Sequence, residues 1–111
     1  MVSVLYVGSE FGEVKNAVRK YDETAGFYGV PPKFSSKPNA LRSHLEQESI
    51  EVDAVIVNFS WKEMIPTVRE LYPDIPIILL HGNYKYVTGI DAHASFESDL
   101  PGKLEELLSK S

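Results

Sequence analysis

The sequence predicts a three-layer α/β fold built around a five-stranded parallel sheet. Three observations carry this. Residues 2–7, 52–58 and 75–80 are short runs that are apolar at nearly every position, as strands covered on both faces are. Stretches with apolar residues at three- and four-residue spacing lie between them. Strands that alternate with such helices imply βαβ units with right-handed crossovers, which put helices on both sides of the sheet. The chain has 111 residues, of which 43% are hydrophobic, enough for one core and about one domain.

The elements follow in order. Val2-Ser3-Val4-Leu5-Tyr6-Val7 reads as a strand ended by Gly8. Phe11, Val14, Val18 and Tyr21 form the stripe of a first helix, with Gly26 and Gly29 marking its end. Tyr21 to Pro32 reads as an enlarged connection, and Lys33-Phe34-Ser35-Ser36 as a short extended piece. Pro38-Asn39 starts a second helix with Leu41 and Leu45 inward. Val52-Asp53-Ala54-Val55-Ile56-Val57-Asn58 is the next strong strand. Ser60 and Glu63 have the spacing of a capping box for a third helix carrying Met64, Ile65, Val68 and Leu71. Pro66 falls in its first turns, where a missing N–H is cheap, and Pro73 ends it. Ile75-Pro76-Ile77-Ile78-Leu79-Leu80 is the third strong strand, broken by His81-Gly82-Asn83. Residues 84–90 fit a short helix, a loop or an extended piece. Residues 92–96 are a candidate strand. Pro101 opens a last helix striped by Leu104, Leu107 and Leu108, with Asp99 as its cap. No internal repeat or linker interrupts this order, so residues 1–111 read as a single domain without an output domain.

Composition excludes several functions. There are 11 Lys and Arg against 16 Asp and Glu, a net charge of −5, which argues against a nonspecific nucleic-acid grip. The chain has no cysteine, so disulfides, thiol nucleophiles and cysteine metal sites are absent. Its apolar runs, about seven residues or fewer, fall far short of the roughly 20 that span a bilayer. The first run is not preceded by basic residues and is too short for a signal peptide. The expectation is a soluble, cytoplasmic domain.

In an open parallel sheet, chemistry gathers beyond the carboxyl ends of the strands. The three strong strands end in Gly8-Ser9-Glu10, Asn58-Phe59-Ser60 and His81-Gly82. Over its full length the chain resembles the receiver domain of response regulators, the flavodoxin-like phosphoacceptor module of two-component signal transduction. Val4-Leu5-Tyr6-Val7-Gly8-Ser9-Glu10 resembles that family's first strand, which ends in acidic residues that hold magnesium. Asp53-Ala54-Val55-Ile56-Val57-Asn58 resembles its third strand, which ends in the phosphorylated aspartate. Ile75 to Gly82 resembles its fourth, which ends in a switch threonine or serine. The resemblance implies strand order 2-1-3-4-5.

The chemical positions depart from that pattern. Gly8 and Ser9 stand at the leading acidic positions, leaving Glu10 alone. Asn58 stands at the phosphoacceptor and His81 at the switch hydroxyl. Phe96-Glu97-Ser98 replaces the family's Lys-Pro pair, and the segment between the fourth and fifth strands is short, so the family's fourth helix is expected to be reduced. Aspartyl phosphorylation needs a carboxylate nucleophile and cations on the transferred group. An asparagine amide is a poor nucleophile, and one glutamate makes a weak magnesium site. The resemblance therefore implies a pseudo-receiver, with Gly8, Ser9, Glu10, Asn58 and His81 forming a degenerate phosphoacceptor pocket.

Other readings are plainer. Asn58 can simply bond neighbouring loop amides. His81 titrates near neutral pH but can equally be a satisfied imidazole. His44 and His93 share no ligand-like spacing with it, so no metal is expected. Gly8 to Gly12 lies where a phosphate-cradling loop would, yet matches neither the dinucleotide fingerprint nor the P-loop. Phe27, Tyr28, Trp61, Tyr84 and Tyr86 are read as loop aromatics, and such residues are favoured at interfaces. By resemblance Tyr84, Tyr86 and Val87 fall on the family's output and dimerisation face, and Trp61 just beyond the phosphoacceptor position. The expectation is a non-catalytic interaction module without a cofactor. Its partner is a protein or a second copy, not nucleic acid or membrane, and the contacts are Trp61, Tyr84, Tyr86 and Val87. The alternative is a flavodoxin-like domain binding a nucleotide or flavin over Gly8–Gly12, Asn58–Trp61 and His81–Asn83.

Overall fold

A computed structural model describes residues 2–109. Five strands form one parallel sheet: β1 (Ser3–Val7), β2 (Gly26–Gly29), β3 (Ala54–Asn58), β4 (Ile77–Leu80) and β5 (Ala92–Ala94), in the order β2-β1-β3-β4-β5. The helices are α1 (Phe11–Tyr21), α2 (Pro38–Glu48), α3 (Ile65–Leu71) and α4 (Leu100–Leu108). The expected architecture and strand order are both present.

Side chains alternate along each strand, so one sheet builds two cores. Val4, Tyr6, Ile56, Ile78 and Leu80 face α1 and α4, against Val14, Val18, Leu100 and Leu104. Leu5, Val7, Val55, Val57, Ile77 and Leu79 face α2 and α3, against Leu41, Leu45, Ile65 and Val68. These continuous apolar strands are buried on both faces, as their sequence requires.

Several local expectations are corrected. Residues 26–29 form edge strand β2, so Phe27 and Tyr28 belong to the sheet, not to a loop. The piece expected to be extended is a 3-10 turn, Pro32–Phe34, set by the φ of its leading proline. The segment after β3 is a 3-10 turn, Phe59–Met64, and its cap is Asn58, whose side chain accepts from the Ser60 amide. The Ser60–Glu63 capping box is not formed. Pro66 lies in the first turn of α3, where it was expected. Between β4 and β5 there is only a 3-10 turn, Tyr84–Tyr86; a second, Glu97–Asp99, leads from β5 into α4, and there are four α-helices among the described residues. The Asp99 carboxylate accepts from the Phe96 amide at 3.2 Å and makes no cap bond to α4.

Arg69 of α3 ties down the connection between β4 and β5. Its guanidinium donates to the carbonyls of Pro73 (3.2 Å), Ile75 (3.0 Å) and Gly89 (2.7 Å) and to Asp91 (2.8 Å). Asp91 in turn accepts from the Ile77 amide at 2.8 Å. Burial acts to raise the Asp91 pKa, but the Arg69 hydrogen bond, the Ile77 amide and the Arg69 charge outweigh it, and the net shift is downward. Val87 and Ile90 pack under this segment against the α2–α3 core.

Candidate functional site

The carboxyl ends of β1, β3 and β4 surround a cavity of about 220 Å³. Its wall includes Ser9, Glu10, Asn58 and His81 from the sequence-derived set, together with Tyr6, Glu13 and Glu97. The five expected pocket residues thus gather at one end of the sheet, with Gly8 lying behind Tyr6 and Asn58.

Tyr6 dominates the floor. It lies two residues before Gly8, near the end of β1, and is 1% exposed. Its hydroxyl donates to the Ser9 carbonyl at 2.8 Å and accepts from Asn58 Nδ2 at 3.2 Å. Burial, chiefly, raises its pKa. The Asn58 amide has only one orientation that satisfies its surroundings. Its Oδ1 accepts from the Ser60 amide (3.0 Å) and hydroxyl (2.9 Å), which leaves Nδ2 for Tyr6. A Cβ at position 8 would lie 2.7 Å from both Asn58 Cβ and the Tyr6 hydroxyl. Glycine is therefore the residue that Tyr6 leaves room for, and an acidic side chain at this position would collide with the ring.

The wall opposite is ionisable. The His81 Nε2 lies 2.7 Å from Glu97 Oε1 and its Nδ1 2.9 Å from the Ser95 carbonyl. Of the two, the Ser95 carbonyl contact is a hydrogen bond, whereas Glu97 Oε1 is buried without a hydrogen-bond partner among the described residues and meets the imidazole only at ion-pair distance. His81 has φ 66° and Gly82 φ 73°, so the chain leaves β4 through two left-handed residues. A Cβ at Gly82 would sit 2.0 Å from the Phe59 ring, which closes off any other residue there. Glu13 of α1 shares a hydrogen bond with Glu97. That bond, then the Glu97 charge, raises the Glu13 pKa. Among the described residues no group of three or more His, Asp or Glu side chains is arranged to hold a metal ion.

The expected contact residues separate. Tyr84 and Tyr86 are 51% and 83% exposed. Trp61 is only 5% exposed and packs with Met64 and Val68 in the α2–α3 core, so its ring offers no surface to a partner. The 3-10 turn after Asn58 rotates it inward. Val87 is half-buried in the same core. His44 lies between the Phe34 ring, at 4.6 Å between centroids, and the Tyr28 hydroxyl, which it hydrogen-bonds. His93 stands on β5 against Tyr84 and bonds the Gly82 carbonyl at 3.1 Å.

Sequence reasoning missed Tyr6 and Glu13. The signal for Tyr6 was present: a glycine two residues on, just past the strand end, is where a bulky ring leaves no room for a Cβ.

No protein-family model matches the chain, and no curated protein matches it by sequence. Among solved structures it is similar to the receiver domain of the TMAO respiratory system response regulator TorR. The TM-score is 0.67 at 16% identity, over 99% of this chain and 98% of that one. The chain has the flavodoxin-like receiver fold. Among the described residues no helix is long and apolar enough to cross a membrane.

Proposed function

We propose that this chain is a phosphorylation-independent receiver, a non-catalytic cytoplasmic signalling module of one domain that binds a protein partner. One observation carries the reading. Tyr6, Gly8 and Asn58 interlock in the space where a phosphoacceptor site would need a carboxylate and a cation. The nucleophile position holds an amide already engaged on both sides. The carboxylates of Glu10, Glu13 and Glu97 at the rim repel a phosphoryl donor.

The nucleotide or flavin alternative has less support. The cavity of about 220 Å³ is below the roughly 300–1,000 Å³ typical of drug-sized ligand pockets, and its rim is acidic.

The test is intact mass after incubation with acetyl phosphate and magnesium. The expected result is no added phosphoryl group. A stable gain of one phosphoryl group overturns the reading, because an acceptor would then exist that the interlock does not block.

A further inference from the structure

The three large apolar side chains most exposed among the described residues are Tyr84, Tyr86 and Phe96, and all flank β5. β5 is an edge strand, paired with β4 on one side only. A cavity of about 440 Å³ lies against it, lined by Tyr84, Ile90, Asp91, Ala92, His93 and Lys103. Among the described residues no strand pairs with the outer side of β5, whose Ala92 and His93 are half-buried, with the Tyr84 ring against His93.

The charge at the groove is opposite to that of the whole chain. Lys103 lines it, and Lys85 stands between the two exposed tyrosines. Neither has a carboxylate within 4.0 Å among the described residues. The groove's own acid, Asp91, is occupied by Arg69 and the Ile77 amide. With Asp91 held by Arg69, Lys103 is the lining charge left for a partner, and Lys85 lies just outside the lining beside Tyr84, in a chain of net charge −5.

We propose that this groove binds an extended acidic peptide segment of a partner protein, laid beside β5. The inference rests on the interaction-module reading above and names the partner's chemistry. Main-chain hydrogen bonds to a strand edge supply affinity that does not depend on sequence, and alternate side chains supply selection. Here one set of side chains meets Tyr84 and Ile90, and carboxylates meet Lys103 and Lys85. A second copy presenting the same groove would set lysines against lysines, which works against a symmetric pairing. β5 is only three residues long, so the aromatic and charge contacts must add to what the edge provides.

The experiment is selection of a displayed random decapeptide library on the full chain. Selected peptides are then titrated and followed by amide NMR. The expected winners carry acidic residues interleaved with apolar ones and move the amides of Ala92, His93 and Ala94. Lys85→Glu with Lys103→Glu weakens their binding about tenfold or more, a change of roughly 1.4 kcal/mol. Tyr84→Ala with Tyr86→Ala does so as well, with the melting temperature unchanged in both variants. Winners that depend on the tyrosines but not the lysines overturn the acidic assignment and leave the interaction reading standing. Basic winners, or amide shifts away from β5, overturn the groove. If no peptide enriches, the groove proposal fails. The intact-mass test of the phosphoacceptor end then decides the wider reading separately, because it does not involve this groove.

Discussion

The centre of the sheet and its β5 flank are held by different physics. In β3 and β4, Val55, Ile56, Val57, Ile77, Ile78 and Leu79 are wholly shielded from water by helices on both faces. At β5 only Ala94 is fully buried, and the connection leading to it is held by one guanidinium that reaches four acceptors. Beyond the ladder hydrogen bonds of the sheet, apolar packing of these side chains fixes the centre. A polar clamp fixes the flank and leaves its aromatics free to face outward. Surface that can recognise a partner is therefore found where the apolar pattern stops.

The largest expected effect tests the centre. Ile56→Ala removes a fully buried side chain from between β1 and β4 and should cost about 2–5 kcal/mol in chemical denaturation. A loss below about 1 kcal/mol would show that the centre relaxes around the void and is not close-packed.

Arg69→Ala tests the flank. It leaves the Ile75 carbonyl in part-buried surroundings without this donor, and Asp91 without its charge partner. The expected cost is about 1–3 kcal/mol, at the lower end because the Arg69–Asp91 pair is partly exposed. Hydrogen exchange should quicken at residues 87–91 while β3 stays protected. Equal loss of protection across the sheet would break the distinction between the two regions.

The same division explains what the sequence made legible. β1, β3 and β4 could be read because a doubly covered strand needs an apolar residue at nearly every position. β2 could not, since Gly26-Phe27-Tyr28-Gly29 has two glycines in four residues and lies half-buried at an edge. The pocket residues were legible as strand ends, a consequence of topology. Their partners were not. Trp61 looked exposed because a strand end is normally followed by an open loop, whereas the 3-10 turn capped by Asn58 folds it under. Glu13 gave no signal, because its link to Glu97 joins α1 to a segment more than 80 residues later, and no periodicity reports such a meeting.

That link gives the smallest predicted effect and the sharpest one in pH. The hydrogen bond shared with Glu97, then the Glu97 charge, raises the Glu13 pKa above its ordinary 4.5. The folded chain therefore holds this proton more tightly than the unfolded chain does. The stability this contributes is complete below about pH 4.5 and is lost as pH rises through the raised value. Glu13→Gln keeps a hydrogen-bond donor toward Glu97 and cannot ionise. Melting temperatures of the two proteins should nearly coincide in acid and separate toward neutral pH, with the variant higher. Added salt should narrow the gap, because Glu13 is exposed and its repulsion from Glu97 is screened. Parallel profiles would mean that the two carboxylates share no proton. The rim of the pocket would then resemble the rest of the acidic surface, and only the Tyr6–Gly8–Asn58 interlock would distinguish this end of the sheet.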